Sequence, residues 1–121
     1  MLVLTLSIGS GLTALAQLPS YPDVLGAEVR ASGADRFDFD VRIASPYDSP
    51  TRYGDGLRVQ GAGGVVYGVR KLVHDHADEQ PFTRDLYGVK IPAGVTSVTV
   101  QGRDQHSGWG GKTVDVKLPG R

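Results

Sequence analysis

The chain contains three histidines, and they fall in two short polar segments, His74-Asp75-His76-Ala77-Asp78-Glu79 and His106-Ser107-Gly108-Trp109. Imidazole is the commonest metal ligand and the side chain that titrates nearest neutral pH. On an extended segment, a His-x-His pair puts both rings on one face, with about 6–7 Å between their backbone positions. Two such rings can converge on zinc or copper, with His106 as a third ligand and Glu79 or Asp104 supplying an oxygen. Asp75 would then orient a ring from behind. The competing reading is a solvated polar turn. Val65, Tyr67, Val69 and Val73 put odd positions toward the core, which turns His74 and His76 away from it and from His106.

The single tryptophan offers different chemistry. Trp109, with Tyr47 and Tyr53, can form an aromatic platform for sugar or peptide, because a flat ring gives contact area at low entropic cost. Gly108, Gly110 and Gly111 surround it. They favour a tight hairpin whose indole folds over the sheet edge as a plug. Catalysis is not expected. His106 and Ser107 are adjacent in sequence, which does not make a nucleophile–base pair, and no orienting third residue or oxyanion motif accompanies them. Asp75, Asp78 and Glu79 lack the deep cleft that would separate their proton affinities. Arg84 and Asp85 read as surface or loop-anchoring ions. The glycine-rich stretches precede strands, not helices, so neither is a phosphate loop.

The elements that must position these residues are all strands. Arg36–Ala44 alternates Phe37, Phe39, Val41 and Ile43 with Asp38, Asp40 and Arg42, giving one core face and one wet face. Further strands are expected over 24–30, 53–60, 65–73, 81–91, 95–104 and 112–118. Gly61-Ala62-Gly63-Gly64 reads as a hairpin turn. Phe82 and Leu86 share one parity while Val89 and Ile91 have the other, which places a bulge near Tyr87-Gly88. No helix of any length is supported. About seven strands with antiparallel connections define an all-β, two-sheet immunoglobulin- or fibronectin-III-like sandwich. Running alternate strands up and down brings 45–52, 74–80 and 105–111 to one end. All three histidines, Trp109 and Tyr47 lie in those connections, and end loops are where such folds place binding.

Composition bounds the remainder. Residues 2–15 are uncharged and largely apolar, and Ala14-Leu15-Ala16 supplies the small residues of a signal-peptidase site, so 1–16 is expected to be a signal peptide cleaved before Gln17. No Lys or Arg precedes the run, which points to a start codon placed too late. Residues 17–23 read as an extended lead-in and 24–121 as one domain. The 13 basic and 13 acidic residues balance, which argues against nucleic acid or an anionic membrane as partner. There is no cysteine, so the core must hold without disulfides and a lipoprotein anchor, which needs a cysteine at the cleavage site, is not expected. The chain has 17 glycines, about twice the usual share, as many turns require.

The blocks HDHADEQPFTRDL and HSGWGGKTVDV resemble those of small exported bacterial proteins of unassigned activity. That resemblance spans most of the mature chain and implies no particular chemistry. The expectation is a periplasmic or secreted, non-catalytic binding module without a cofactor, acting on a protein, glycan or small ligand at the loop end. The alternatives are a zinc or copper protein using His74, His76, His106 and Glu79, and a carbohydrate-binding module using Trp109 and Tyr47.

Overall fold

Two-residue alternation builds the middle of the molecule. In Arg36–Ala44, Phe37, Phe39, Val41 and Ile43 are buried while the residues between them remain at least partly exposed. The same period buries Leu57 and Val59 in Gly54–Gln60, and Val98 and Val100 in Ser97–Asp104. Full burial of each such side chain is worth about 1.5–3 kcal/mol, so these three strands anchor the core. The computed structural model describes residues 19–121. The signal-peptide expectation for 1–16, and the first residues of the 17–23 lead-in, lie outside the described residues.

Among the described residues the strands are β1 (Asp23–Gly33), β2 (Arg36–Ala44), β3 (Gly54–Gln60), β4 (Val66–Lys71), β5 (Phe82–Lys90), β6 (Ser97–Asp104) and β7 (Gly108–Lys117), with one short 3-10 turn at Ala62–Gly64. They pair antiparallel in two sheets, β1-β2-β5 and β4-β3-β6-β7. The inner faces share one apolar cluster. The protein is therefore an all-β, two-sheet sandwich of seven strands, as its alternation requires.

Two irregularities decide where side chains point. Phe37 pairs with Val89 but Phe39 with Leu86, so β5 carries an extra residue at Tyr87–Gly88, where the parity change places it. Gly88 has a positive φ of 66°, and the carboxylate of Asp38 accepts its freed N–H at 2.8 Å.

The second irregularity corrects the reading of β4. Val65 and Val69 are each 52% exposed and Val73 is 78% exposed, while Tyr67 packs against the core. Val59 pairs with Gly68 and Gln60 with Val66, so Tyr67 is an inserted residue and parity reverses beyond it. Gly68 faces inward instead of Val69. A Cβ at Gly68 would lie 3.2 Å from a Val89 methyl, so the two sheets approach too closely there for a larger residue. β4 also ends at Lys71, and the strand does not reach the histidines.

The last strand needs a correction too. It begins at Gly108, not at 112, so Trp109 stands in a strand and the connection after β6 shrinks to 105–107. Trp109 pairs with Arg103 and Gly110 with Gly102. Because Gly102 shares the inward parity of Val98 and Val100, Gly110 faces in and Trp109 faces out.

Candidate functional site

The connections 45–52, 74–80 and 105–107 meet at one end through two buried carboxylates. Asp104, fully buried at the end of β6, accepts from Tyr47 Oη at 2.7 Å, Arg52 Nη2 at 3.1 Å and Nε at 3.3 Å, and the backbone N–H groups of His106 at 2.8 Å and Ser107 at 2.7 Å. Burial alone would raise its proton affinity. The Arg52 guanidinium, the Tyr47 hydroxyl and the two N–H groups outweigh that and hold the carboxyl well below the ordinary range. Burial first, and then the bond to Asp104, pushes the Tyr47 phenol well above its ordinary value. Arg52 Nη2 also donates to Ser107 Oγ at 2.9 Å. Asp104, Tyr47, Arg52 and Ser107 thus hold the 45–52 and 105–107 connections together.

Asp48 does the same for the second pair of loops. One of its oxygens accepts from Gly54 N–H at 3.0 Å and the other from His76 N–H at 3.0 Å. Gln80 bridges back, accepting from Ser45 N–H at 2.8 Å and donating to the His76 carbonyl at 3.0 Å. Glu79 accepts from Arg84 at 2.9 Å, which makes Arg84 the loop-anchoring ion expected of it. Asp75 caps its own turn by accepting from Ala77 N–H at 3.1 Å, so its carboxylate turns back on its own backbone.

The histidines divide. His76 is 4% exposed and stacks on Phe82 with ring centroids 3.9 Å apart and planes 9° from parallel. His74 also packs against its ring, at 4.7 Å between centroids. Neither ring nitrogen of His76 has a hydrogen-bond partner. Burial first, then the charges of Arg84 and His74, lowers its proton affinity, so a neutral imidazole serves here as a flat core side chain. His106 is exposed, and its backbone rather than its ring meets Asp104. Among the described residues no group of three or more His, Asp or Glu side chains could hold a metal ion. The structure brings the His74 and His76 rings together, while Glu79 nearby is paired with Arg84 and His106 meets Asp104 through its backbone, so the four do not form one ligand set.

Trp109 belongs to a different surface, the outer face of the four-stranded sheet. One cross-strand row runs Lys71–Gly56–Arg103–Trp109, and the next runs Val69–Arg58–Gln101. Directly opposed residues share a face, and Gly56 leaves a gap between its neighbours. The result is a cleft of about 350 Å³ lined by Asp55, Gly56, Val69, Arg70, Lys71, Arg103 and Trp109. The Arg58 guanidinium lies 4.2 Å from the indole centroid and is fixed by two bonds to Gln101 Oε1, at 3.0 and 2.6 Å. Arg103 is held through Nη1 alone, at 2.8 and 2.6 Å from the two oxygens of Asp55. Arg70 turns away to Asp85 of β5.

The indole lies on the outer face of its sheet, against Arg58, and not inside the sandwich. Two of its flanking glycines, Gly110 and Gly111, make room for Tyr21 and Pro22 on the inner side. A Cβ on Gly110 would overlap the Tyr21 ring, and one on Gly102 would fall 2.7 Å from Pro22. The lead-in segment fills the sandwich, and Trp109 is half-buried on the opposite face. Tyr47 and Tyr53 do not join it. Their hydroxyls go to Asp104 and to the Val73 carbonyl.

A larger concavity of about 450 Å³ lies on the other sheet, lined by Leu25, Gly26, Ala27, Glu28, Asp40, Arg42 and Thr83. It contains no aromatic ring, and Asp40 is already bonded to Arg30 and Tyr87. The Trp109 cleft therefore has the chemistry although it has the smaller volume. Arg58, Lys71 and Arg103 receive no role from the sequence. The outward direction of Arg58 and Arg103 is nevertheless encoded, since Leu57, Val59, Val98 and Val100 point in and fix the opposite parity for 58, 101 and 103, whereas that of Lys71 depends on the Tyr67 insertion.

No family model matches the chain, and no solved structure matches it. A protein of Halomicrobium mukohataei named "Putative lipoprotein" is 32% identical over 94 residues, covering 78% of this chain and 46% of that protein. The chain thus spans less than half the length of this curated relative. Among the described residues no helix is long and apolar enough to cross a membrane.

Proposed function

We propose that this sandwich is an exported, cell-envelope-associated binding module without catalysis of its own, and that its ligand sits on the outer face of the four-stranded sheet against Trp109. The export reading is supported by the similarity to the protein named as a lipoprotein and by the uncharged apolar residues 2–15. The strand order, three against four, suits an immunoglobulin- or fibronectin-III-like module. The observation that carries the site is the row Lys71–Gly56–Arg103–Trp109, which puts an aromatic ring, a gap and two cations on one open sheet face. Catalysis finds no support at the loop end, where Ser107 Oγ accepts from Arg52 and donates to no imidazole among the described residues.

Because the chain has one tryptophan, its emission responds directly to events in the cleft. A panel of neutral and acidic oligosaccharides and short peptides is titrated into the protein, with backbone amide shifts recorded in parallel. The expected result is a saturable change in Trp109 emission with shifted amides clustered at 56, 58, 69–71, 101–103 and 109. Shifts confined to 45–52, 74–80 and 105–107 overturn this reading and return binding to the loop end.

A further inference from the structure

Resting on that assignment of the binding face, we infer that the Trp109 cleft selects an acidic saccharide, stacking a sugar ring on the indole and reading its carboxylate with Arg103 and Lys71. The charges that line or border the cleft are Arg58, Arg70, Lys71 and Arg103 against Asp55 and Asp85, so the surface is locally cationic in a chain of zero net charge. The donors are also uncommitted. Asp55 engages only Nη1 of Arg103, which leaves the Nε–Nη2 edge without a protein partner among the described residues. That edge presents two parallel N–H groups, the geometry that matches a carboxylate. Lys71 makes no ion pair among the described residues and stands two strands away across Gly56, about 10 Å at the backbone.

The chemistry of the other residues points to a sugar rather than to a bare anion. Trp109 and Val69 supply apolar contact, while Asp55 carries an acceptor into the same cleft. A pyranose has this mixed character, with an apolar C–H face and hydroxyls around its rim. A volume of about 350 Å³ lies at the small end of ligand sites. It suits one or two rings of a chain that continues along the open sheet face. Asp55 bonded to Arg103 also fixes the arginine in place before the ligand arrives, which lowers the ordering cost of binding.

The test compares tetragalacturonate with a neutral tetrasaccharide of glucose, using Trp109 emission on the full chain. Tetragalacturonate is expected to bind at least about tenfold more tightly, the value of one charge-assisted contact, and to weaken as salt is raised. Lys71→Ala and Arg103→Lys are each expected to lower its affinity about five- to tenfold with unchanged melting temperature, Arg103→Lys because it keeps the charge but loses the fork. Equal binding of the neutral sugar overturns the acidic class while leaving the Trp109 face as the binding surface. Equal competition by tetraglutamate shows that charge alone is read and overturns the saccharide class. Absence of any response to either sugar overturns the inference outright. The face itself falls only if the panel's amide shifts lie at the loop end.

Discussion

The loop end and the outer face of the four-stranded sheet are built from the same kinds of side chain, and they differ in whether the polar atoms are already used. At the loop end, Asp104 is surrounded by Tyr47, Arg52 and two backbone N–H groups, and Asp48 by Gly54 and His76. On the sheet face, Arg103 is held by one nitrogen and Lys71 by none among the described residues. A buried carboxylate must find partners within the chain or lift its pKa, so the loop-end residues are committed by folding. Groups on an open face have water as a partner and can exchange it for a ligand. The densest cluster of chemically capable residues is therefore the part that holds the structure, and the sparser row is the part left free to bind.

The largest effect should come from removing the centre of the loop end. Asp104→Ala strands the Tyr47 hydroxyl, the Arg52 guanidinium and two N–H groups at once. Urea or thermal unfolding is expected to show a loss of about 3 kcal/mol, in the range for breaking a buried pair. Any ligand response of Trp109 should survive at temperatures where the variant is folded. The pH dependence carries the same signature. The folded Asp104 carboxyl lies below its unfolded value near 3.8, so the stability it contributes is complete above about pH 5 and declines as pH falls through and below 4. The variant should lack that component of the acid transition. A loss below about 1 kcal/mol would mean that the loop end is not what ties the connections together.

Much of this division is written in the sequence, but unevenly. Strict alternation makes β2, β3 and β6 readable, and the parity change between Leu86 and Val89 locates the bulge. The single insertion at Tyr67 is not readable, because Val-Val-Tyr-Gly-Val supports either parity until its pairing with β3 is known. The strand position of Trp109 is hidden for a related reason. Between Gly110 and Val114, β7 advances four positions while β6 advances two, which breaks the periodicity that would have extended the strand to 108. The glycines beside Trp109 do signal close packing. What they pack against, Tyr21 and Pro22, lies far away in sequence. The site row is hidden because its members come from four strands, none of them adjacent in sequence to Trp109 except through the fold.

A smaller and opposite effect is expected at His76, where the loop end is imperfectly satisfied. Its two ring nitrogens are buried without partners, and an unpaired buried polar group costs about 1–3 kcal/mol. His76→Leu keeps the backbone N–H that Asp48 accepts and loses the stack on Phe82. It should raise stability by about 1 kcal/mol at pH 5. The sign follows from linkage. Folding lowers the His76 pKa below its ordinary 6.5, so stability is complete above that value and declines as pH falls below it, where the unfolded chain takes up a proton first. Unfolding free energies measured from pH 7 to 5 should therefore slope downward for the native chain and less steeply for His76→Leu. Asp48, Glu79, Arg84 and His74 face or flank the ring in both cases. Destabilisation by the leucine, or an unchanged slope, would instead assign His76 a partner in solution.

A stability effect no larger than that at His76 belongs to the residue that matters most to the binding face. Trp109 is on the outer side of its sheet, and its truncation removes the Arg58 stack at 4.2 Å, worth about 0.5–1 kcal/mol at a partly exposed site. Trp109→Ala is accordingly expected to cost about 1 kcal/mol. An indole serving as the plug of the sandwich would cost about 3–5 kcal/mol on truncation, so calorimetry separates the two roles directly. Binding must then be followed by a probe other than emission, and amide shifts at Lys71, Gly56 and Arg103 serve because the row persists without the ring. Tetragalacturonate should lose most of its affinity for a variant that is nearly as stable as its parent. The reverse pattern, large destabilisation with affinity intact, would move the indole into the class of Asp104 and leave the sheet face with charge but no platform.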